Sequence, residues 1–202
     1  MGGDLLKLEN LMVHGLEPVS FEVARGECVA VQGPSGSGKT VLLRAIADLD
    51  PAEGQIFLDG AERNAFSGPE WRQRVRYAAA EPGWWDETPR VHFAHGEGLE
   101  KLVNSLGLKS AQLDQSLSRL STGERQRMAL ARAVFDEPSV LLLDEPTGAL
   151  DAKATIQAER LLKRQLKSGH AVILVSHDPA QLKRLAHRKL TIRNGKLRAG
   201  RI

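Results

Sequence analysis

Residues Gly33-Pro34-Ser35-Gly36-Ser37-Gly38-Lys39-Thr40 follow the pattern G-x-x-x-x-G-K-[ST]. Glycines at this spacing let the backbone curl until its N–H groups point at one centre, and a helix starting near Lys39 adds its positive dipole end. Such a loop holds phosphate. Lys39 then neutralises the β- and γ-phosphates of a nucleotide, and Thr40 offers its hydroxyl to Mg²⁺. The second chemical signal is the apolar run Leu141-Leu142-Leu143 ending in Asp144-Glu145. By itself, a strand that ends in two acids is often a helix cap or a solvated turn. Beside a phosphate loop, Asp144 reads as a Mg²⁺ ligand, direct or through water. Glu145 reads as the base that orients and deprotonates the attacking water. The third signal is Leu120-Ser121-Thr122-Gly123-Glu124, ahead of a helix striped by Met128, Ala131 and Phe135. Ser121 and Glu124 have capping-box spacing, and the bare Gly123 at a capped helix start is equally an anion site.

The elements that must carry these residues show as patterns. Leu6, Leu8 and then Val19, Phe21 and Val23 alternate with polar neighbours, as half-buried strands do. Cys28-Val29-Ala30-Val31 runs into the phosphate loop, and Val41 to Ile46 follows: strand, tight loop, helix. Gln55 to Leu58 is a further short strand. Val140 to Leu143 and Ala171 to Val175 are continuous apolar runs, which suit central parallel strands buried on both faces. Ala152 to Lys167 has Ile156, Leu162 and Leu166 near helical spacing, with Gly169 placed to end the helix. Asn194-Gly195 between Leu190-Thr191-Ile192 and Lys196-Leu197 predicts a hairpin. The middle, about Pro69 to Leu120, holds Trp71, Tyr77, Trp84 and Trp85 among helix-like stretches such as Leu99 to Leu106. It is expected as a helical insertion in an α/β fold.

Composition narrows the classes. The 202 residues are 42% hydrophobic and 26% charged, which excludes a disordered or fibrous chain. The net charge of +3 is too small to argue for a nucleic-acid binder. Cys28 is the single cysteine, so an internal disulfide framework and a cysteine-based metal cluster are excluded. No apolar run approaches the roughly 20 residues that span a bilayer. Met1-Gly2-Gly3-Asp4 lacks the basic and apolar regions of a secretory signal. The expectation is a cytoplasmic chain that works at a membrane only if a partner brings it there.

Taken in order, the motifs resemble those of ATP-binding-cassette (ABC) ATPases, from about Leu6 to Leu197. Gly33 to Thr40 looks like their Walker A motif, and Leu120 to Glu124 like their signature. Val140 to Thr147 is similar to Walker B, Ala149-Leu150-Asp151 to the D-loop, and Ser176-His177-Asp178 to the switch histidine. The resemblance implies an α/β P-loop NTPase (RecA-like) fold: a mainly parallel sheet, an antiparallel N-terminal β subdomain and a small helical subdomain. One domain would cover residues 1–202, with its core at about 1–82 and 133–202 and the helical part at about 83–132. ATP and Mg²⁺ are the implied cofactors. The implied assembly is a head-to-tail homodimer sandwiching two ATP, in which Ser121, Gly123 and Asp151 serve the partner's Walker A in trans. Glu145 takes the general-base role and His177 reaches the γ-phosphate. The resemblance, to short bacterial members, further implies a transmembrane permease subunit on a separate chain and no nucleic acid. The chain would lie peripherally on the inner face of the cell membrane and power transport.

Three departures from the family pattern stand out. Thr122 occupies a position where glycine is usual. The aromatic residue that stacks on adenine is missing; His14 is the nearest flat ring, with a solvated turn as the alternative. The glutamine that bridges Mg²⁺ and the membrane partner is absent: counting from Tyr77 puts Ala80 in its column, and counting back from Pro82 puts Glu81 there as an unusual carboxylate ligand. Trp84 and Trp85 follow where the family tends to place apolar residues facing that partner, with packing inside the small subdomain as the alternative. Two adjacent tryptophans on a short loop are hard to bury together, which favours at least one as an interface anchor. A cassette ATPase acting on DNA or ribosomes would carry a coiled-coil insertion or a second cassette. A small P-loop kinase would not need the signature, Glu145 and His177 together. A nucleotide-sensing ATPase with weak hydrolysis stays open because of the missing glutamine.

Overall fold

The structure, a computed structural model, describes residues 4–94 and 96–200. Alternating apolar residues pair β1 (Asp4–Met12) antiparallel with β2 (Val19–Ala24), Leu6 opposite Val23 and Leu8 opposite Phe21. After β3 (Cys28–Gln32) and α1 (Lys39–Ile46), β4 (Glu53–Leu58) returns to the other side of β1 and carries the short β5 (Ala61–Glu62). The first sheet is thus ordered β2-β1-β4-β5. The chain continues through α2 (Gly68–Arg74), β6 (Val75–Ala78), α3 (Leu99–Ser105), α4 (Thr122–Phe135) and β7 (Val140–Asp144). It ends with α5 (Ala152–Lys167), β8 (Ala171–Val175), α6 (Pro179–Leu185), β9 (Arg188–Arg193) and β10 (Lys196–Gly200). The second sheet is ordered β10-β9-β3-β8-β7-β6 and is parallel except for β10, which forms the expected hairpin with β9.

Successive side chains of a strand point to opposite faces, and here each face has its own core. Val29, Val31, Leu142, Ile173 and Val175 pack with the first sheet and with Leu42, Leu43 and Ile46 of α1. Ala30, Leu141, Leu143, Val172 and Leu174 pack with α3, α4, α5 and α6 on the other face. The continuous apolar runs of β7 and β8 follow from this: every residue of both strands is buried.

The middle segment departs from the expected helical insertion. Its first part belongs to the body of the fold. Trp71 on α2 is wholly buried, and its indole N–H donates to the Ile46 carbonyl at 2.8 Å, satisfying a C-terminal carbonyl of α1. β6 extends the parallel sheet, Val75 opposite Val140. Four residues with Arg76 among them are too few to show a strand period. Beyond β6, helical structure is confined to α3, α4 and short 3₁₀ turns at Pro89–His92, Ser110–Asp114 and Leu117–Arg119. Leu99 and Val103 of α3 share their core with the sheet residues. The chemistry-bearing residues sit where β3, β7 and β8 end, at the carboxyl edge of the parallel strands, where open α/β sheets form their crevices.

Candidate functional site

The phosphate loop leaves β3 at Gly33 and enters α1 at Lys39. Gly38 is the N-cap of α1 with φ +99°, and a Cβ there would stand 3.0 Å from Leu16. Only glycine takes this left-handed turn without strain. No side chain caps α1, so its first N–H groups face the loop's hollow, the arrangement that attracts anions. Lys39 is 8% exposed, and its ammonium donates to the Gly33 and Pro34 carbonyls at 2.9 Å each, which centres the charge over the loop. A cavity of about 330 Å³ runs along the loop from Gly36 to Val41, and His14 and Gly15 close its side.

Asp144 ends β7 facing this loop. One carboxylate oxygen, Oδ2, accepts from Thr40 Oγ1 at 2.6 Å and from the Tyr77 hydroxyl at 3.3 Å. Burial, and then the Asp144 charge, pushes the Tyr77 phenol up to about 12, so it remains a donor across the physiological range. Thr40 and Asp144 are hard oxygen donors of the kind Mg²⁺ takes, and one hydroxyl with one carboxylate fits its habit of keeping phosphate and water ligands. Among the described residues no set of three or more His, Cys, Asp and Glu gathers as a metal cage. A Mg²⁺ ion here would therefore draw its remaining ligands from phosphate oxygens and water.

Glu145, the next residue, has φ +48°. A non-glycine residue in this region costs on the order of 1–3 kcal/mol and persists only where its surroundings hold it. Three backbone contacts do so. Its N–H donates to Val175 O at 3.0 Å, while its carbonyl accepts from Gly148 N at 3.2 Å and from Gln126 Nε2 at 2.8 Å. Gln126 also accepts from Ala149 N at 2.9 Å, so one side chain of α4 fixes the turn after β7. The Glu145 side chain lies 3.3 Å from His177 Nε2 and accepts from the His177 backbone N–H at 3.4 Å. Burial raises the Glu145 carboxyl above the ordinary carboxylate range, with Asp144 adding to the rise and His177 and Lys39 opposing it. A half-buried carboxyl with a raised pKa, next to a phosphate loop, suits proton abstraction from water.

Ser121 caps α4, accepting from Glu124 N at 3.2 Å while Glu124 accepts from Ser121 N at 2.8 Å. A Cβ at Gly123 would meet the Ala149 carbonyl at 3.1 Å, so a side chain there pushes on the D-loop. Asp151 caps α5, accepting from Ala154 N at 2.8 Å. None of these three lines the phosphate-loop cavity. Glu81 is exposed and borders a separate groove of about 490 Å³ with Thr122, Gln126 and Glu145. It forms no hydrogen bond or ion pair with Asp144 or Thr40 among the described residues; Tyr77 reaches Asp144 instead.

Beside β6, whose Tyr77 reaches Asp144, lies a cavity of about 600 Å³ walled by Arg76, Tyr77, Trp84, Trp85, His92 and Arg132. The Arg132 guanidinium stacks over both tryptophans, 4.3 and 5.1 Å from their centroids. His92 holds the loop: Nε2 accepts from Trp85 N at 3.1 Å, which leaves Nδ1 to donate to Thr88 O at 3.0 Å. Trp84 is partly buried, and Trp85 is 72% exposed. Arg76 Nε, Trp84 Nε1 and Arg132 Nη1 are buried without an acceptor. Burial, and then the neighbouring Arg76 charge, lowers Arg132 to about 10. Gln126 and the Tyr77 hydroxyl carry no motif of their own in the sequence. A polar residue on the buried stripe of α4 was the one available hint of Gln126.

The ABC transporter family profile matches residues 16–148. Among curated relatives, Protein STAR1 of Oryza sativa subsp. japonica is 41% identical over 184 residues, covering 85% of this chain and 53% of that protein. Phosphate import ATP-binding protein PstB 2 of Natronomonas pharaonis is 35% identical over 233 residues, covering 97% of this chain and 81% of that protein. The chain therefore spans about half the length of the Oryza sativa relative and most of the Natronomonas pharaonis one. Among solved structures, the dimeric post-hydrolysis state of the ATP-binding cassette MJ0796 bound to ADP and Pi superposes with a TM-score of 0.84 at 25% identity. It covers 97% of this chain and 98% of that one.

Proposed function

The chain belongs to the ABC transporter family, and from that premise we propose that it is the ATP-hydrolysing subunit of a membrane transporter, active as a head-to-tail homodimer with two ATP at the interface. One observation carries the reading: Lys39, Thr40 with Asp144, and Glu145 with His177 converge at the ends of three neighbouring parallel strands. In this reading the loop N–H groups and Lys39 bind the phosphates, and His14 flanks the base. Thr40 and Asp144 would hold Mg²⁺, which neutralises charge on the phosphate oxygens. The column of the missing glutamine falls either to Ala80, with that ligand lost, or to Glu81, which would reach the ion through water. Glu145 takes a proton from water as its oxygen attacks the γ-phosphorus, the bond to the bridging oxygen breaks, and ADP and phosphate leave. His177 orients Glu145 and faces the γ-phosphate.

Ser121, Gly123 and Asp151 lie outside their own chain's loop cavity, which supports their acting on a second copy's nucleotide. The domain reading is a single cassette over 1–202, with residues about 83–132 as its helical part. The groove walled by Tyr77, Trp84, Trp85 and Arg132 supports a membrane-embedded partner, because the exposed Trp85 offers apolar area to it. In this reading the membrane span is the partner's; among the described residues no helix is long and apolar enough to cross a membrane. The chain would then sit peripherally on the membrane's inner face. A nucleotide sensor with weak turnover is the second reading, favoured by the lack of an amide at Ala80 and Glu81.

The two-chain site is tested by mixing variants. Gly123→Asp should abolish hydrolysis while the monomer still binds nucleotide, and Lys39→Ala should abolish both. Mixed dimers keep one intact loop opposite one intact signature, so steady-state ATPase should reappear on mixing. No activity from mixed dimers shown to form would reject the composite site.

A further inference from the structure

Two hydroxyls donate to the same oxygen of Asp144, and they come from different parts of the fold. Thr40 belongs to the phosphate loop. Tyr77 belongs to β6, the edge strand, and its ring walls the cavity that also holds Trp84, Trp85 and Arg132. Among the described residues, Tyr77 is the residue that both lines this groove and hydrogen-bonds Asp144. Ala80 has no polar side chain to offer, and Glu81 lies along the other groove beside Glu145. The Tyr77 contact, at 3.3 Å, is longer than the 2.7–2.8 Å usual for O–H···O, so it has room to tighten or break when the groove wall moves. A phenol transmits such a shift faithfully because its hydroxyl sits at the end of a rigid ring.

We propose that Tyr77 is a positioning residue: its hydroxyl sets the Asp144 carboxylate for Mg²⁺ and ties that carboxylate to the tryptophan-walled groove. The proposal rests on the reading of Asp144 as the metal residue of an ATP site. What occupies the groove and what occupies the metal position then sense each other through one hydroxyl. Neither Thr40 nor Glu145 can do this, because neither walls the groove.

Tyr77→Phe keeps the ring and removes the hydroxyl, so packing is preserved. Two readouts separate a positioning role from a structural one, neither of them turnover. The first is Mn²⁺ affinity of the ADP complex, from the loss of the free-ion electron paramagnetic resonance signal. The second is the change in tryptophan fluorescence when MgADP is added, assigned to the groove by its decrease in Trp85→Phe. Tyr77→Phe should bind ADP without metal as the unsubstituted chain does, bind Mn²⁺ on the order of tenfold more weakly, and lose most of the fluorescence change. Unaltered Mn²⁺ affinity together with an undiminished fluorescence change would overturn the proposal. So would a loss of Mn²⁺ affinity in Glu81→Ala with none in Tyr77→Phe, which would place the link at Glu81. Failure of the unsubstituted chain to bind ADP at all would instead sink the ATP-site reading beneath it.

Discussion

Glu145 holds a strained backbone, a raised pKa and a position facing His177 at once, and these have separable consequences. As a general base it must be deprotonated, so turnover should fall as pH drops through its raised pKa. The acid limb of the rate profile should therefore lie above the range of an ordinary glutamate. Glu145→Gln should slow turnover on the order of 10²–10⁴-fold, leave ATP affinity intact and remove that limb. Stability runs the other way. A carboxyl whose folded pKa is raised stabilises the fold below its unfolded pKa, and the contribution is lost as pH rises through the folded value. At neutral pH the ionised Glu145 is thus a burden, and Glu145→Gln should be at least as stable as the unsubstituted chain in thermal melts. Near-normal turnover in this variant would remove Glu145 from the mechanism.

At the scale of the element, Ser121 has two separable duties: it caps α4 and, in the proposed dimer, faces a second copy's nucleotide. Ser121→Ala should cost about 1 kcal/mol through the lost cap, a drop of roughly 2–4 °C in Tm for a chain of this size. Ser121→Asp retains a capping oxygen and suits the helix dipole, so its Tm should stay near that of the parent. Its charge would nonetheless repel a γ-phosphate and stop hydrolysis. If Ser121→Asp hydrolyses ATP normally, the helix start is a cap and nothing more. The capping box was readable in the sequence because its partners are three residues apart. The phosphate loop was readable for the same reason, and the ends of β7 and β8 because fully buried strands leave unbroken apolar runs. β6 was not, since a four-residue edge strand carrying Arg76 has no period to detect. Nor were the contacts that finish the site: Tyr77 meets Asp144 across 67 residues, and Gln126 reaches the Glu145 carbonyl from another element.

For the molecule as a whole, one parallel sheet is the shared wall of both cores. Ile173 and Leu174 are neighbours on β8, yet one packs with α1 and the antiparallel sheet and the other with the helices. Truncating either to alanine should cost about 2–5 kcal/mol. Because the sheet cannot lose one face and keep the other, both variants should unfold in a single transition. Circular dichroism and the unmasking of the Cys28 thiol should give one midpoint. Separate midpoints for the two probes would mean that the helical face melts alone.

The burial of Cys28 also has a practical consequence for conjugation chemistry. Its thiol is held within β3 and pushed up to about 12, mainly by burial, so it forms almost no thiolate in the folded state. Maleimides and disulfide reagents react with thiolates. A cysteine introduced on the surface can therefore carry a dye or spin label as the sole reactive site, with the native cysteine left in place. Two copies labelled at position 85 would report how the tryptophan grooves of a dimer approach and separate through a round of nucleotide exchange.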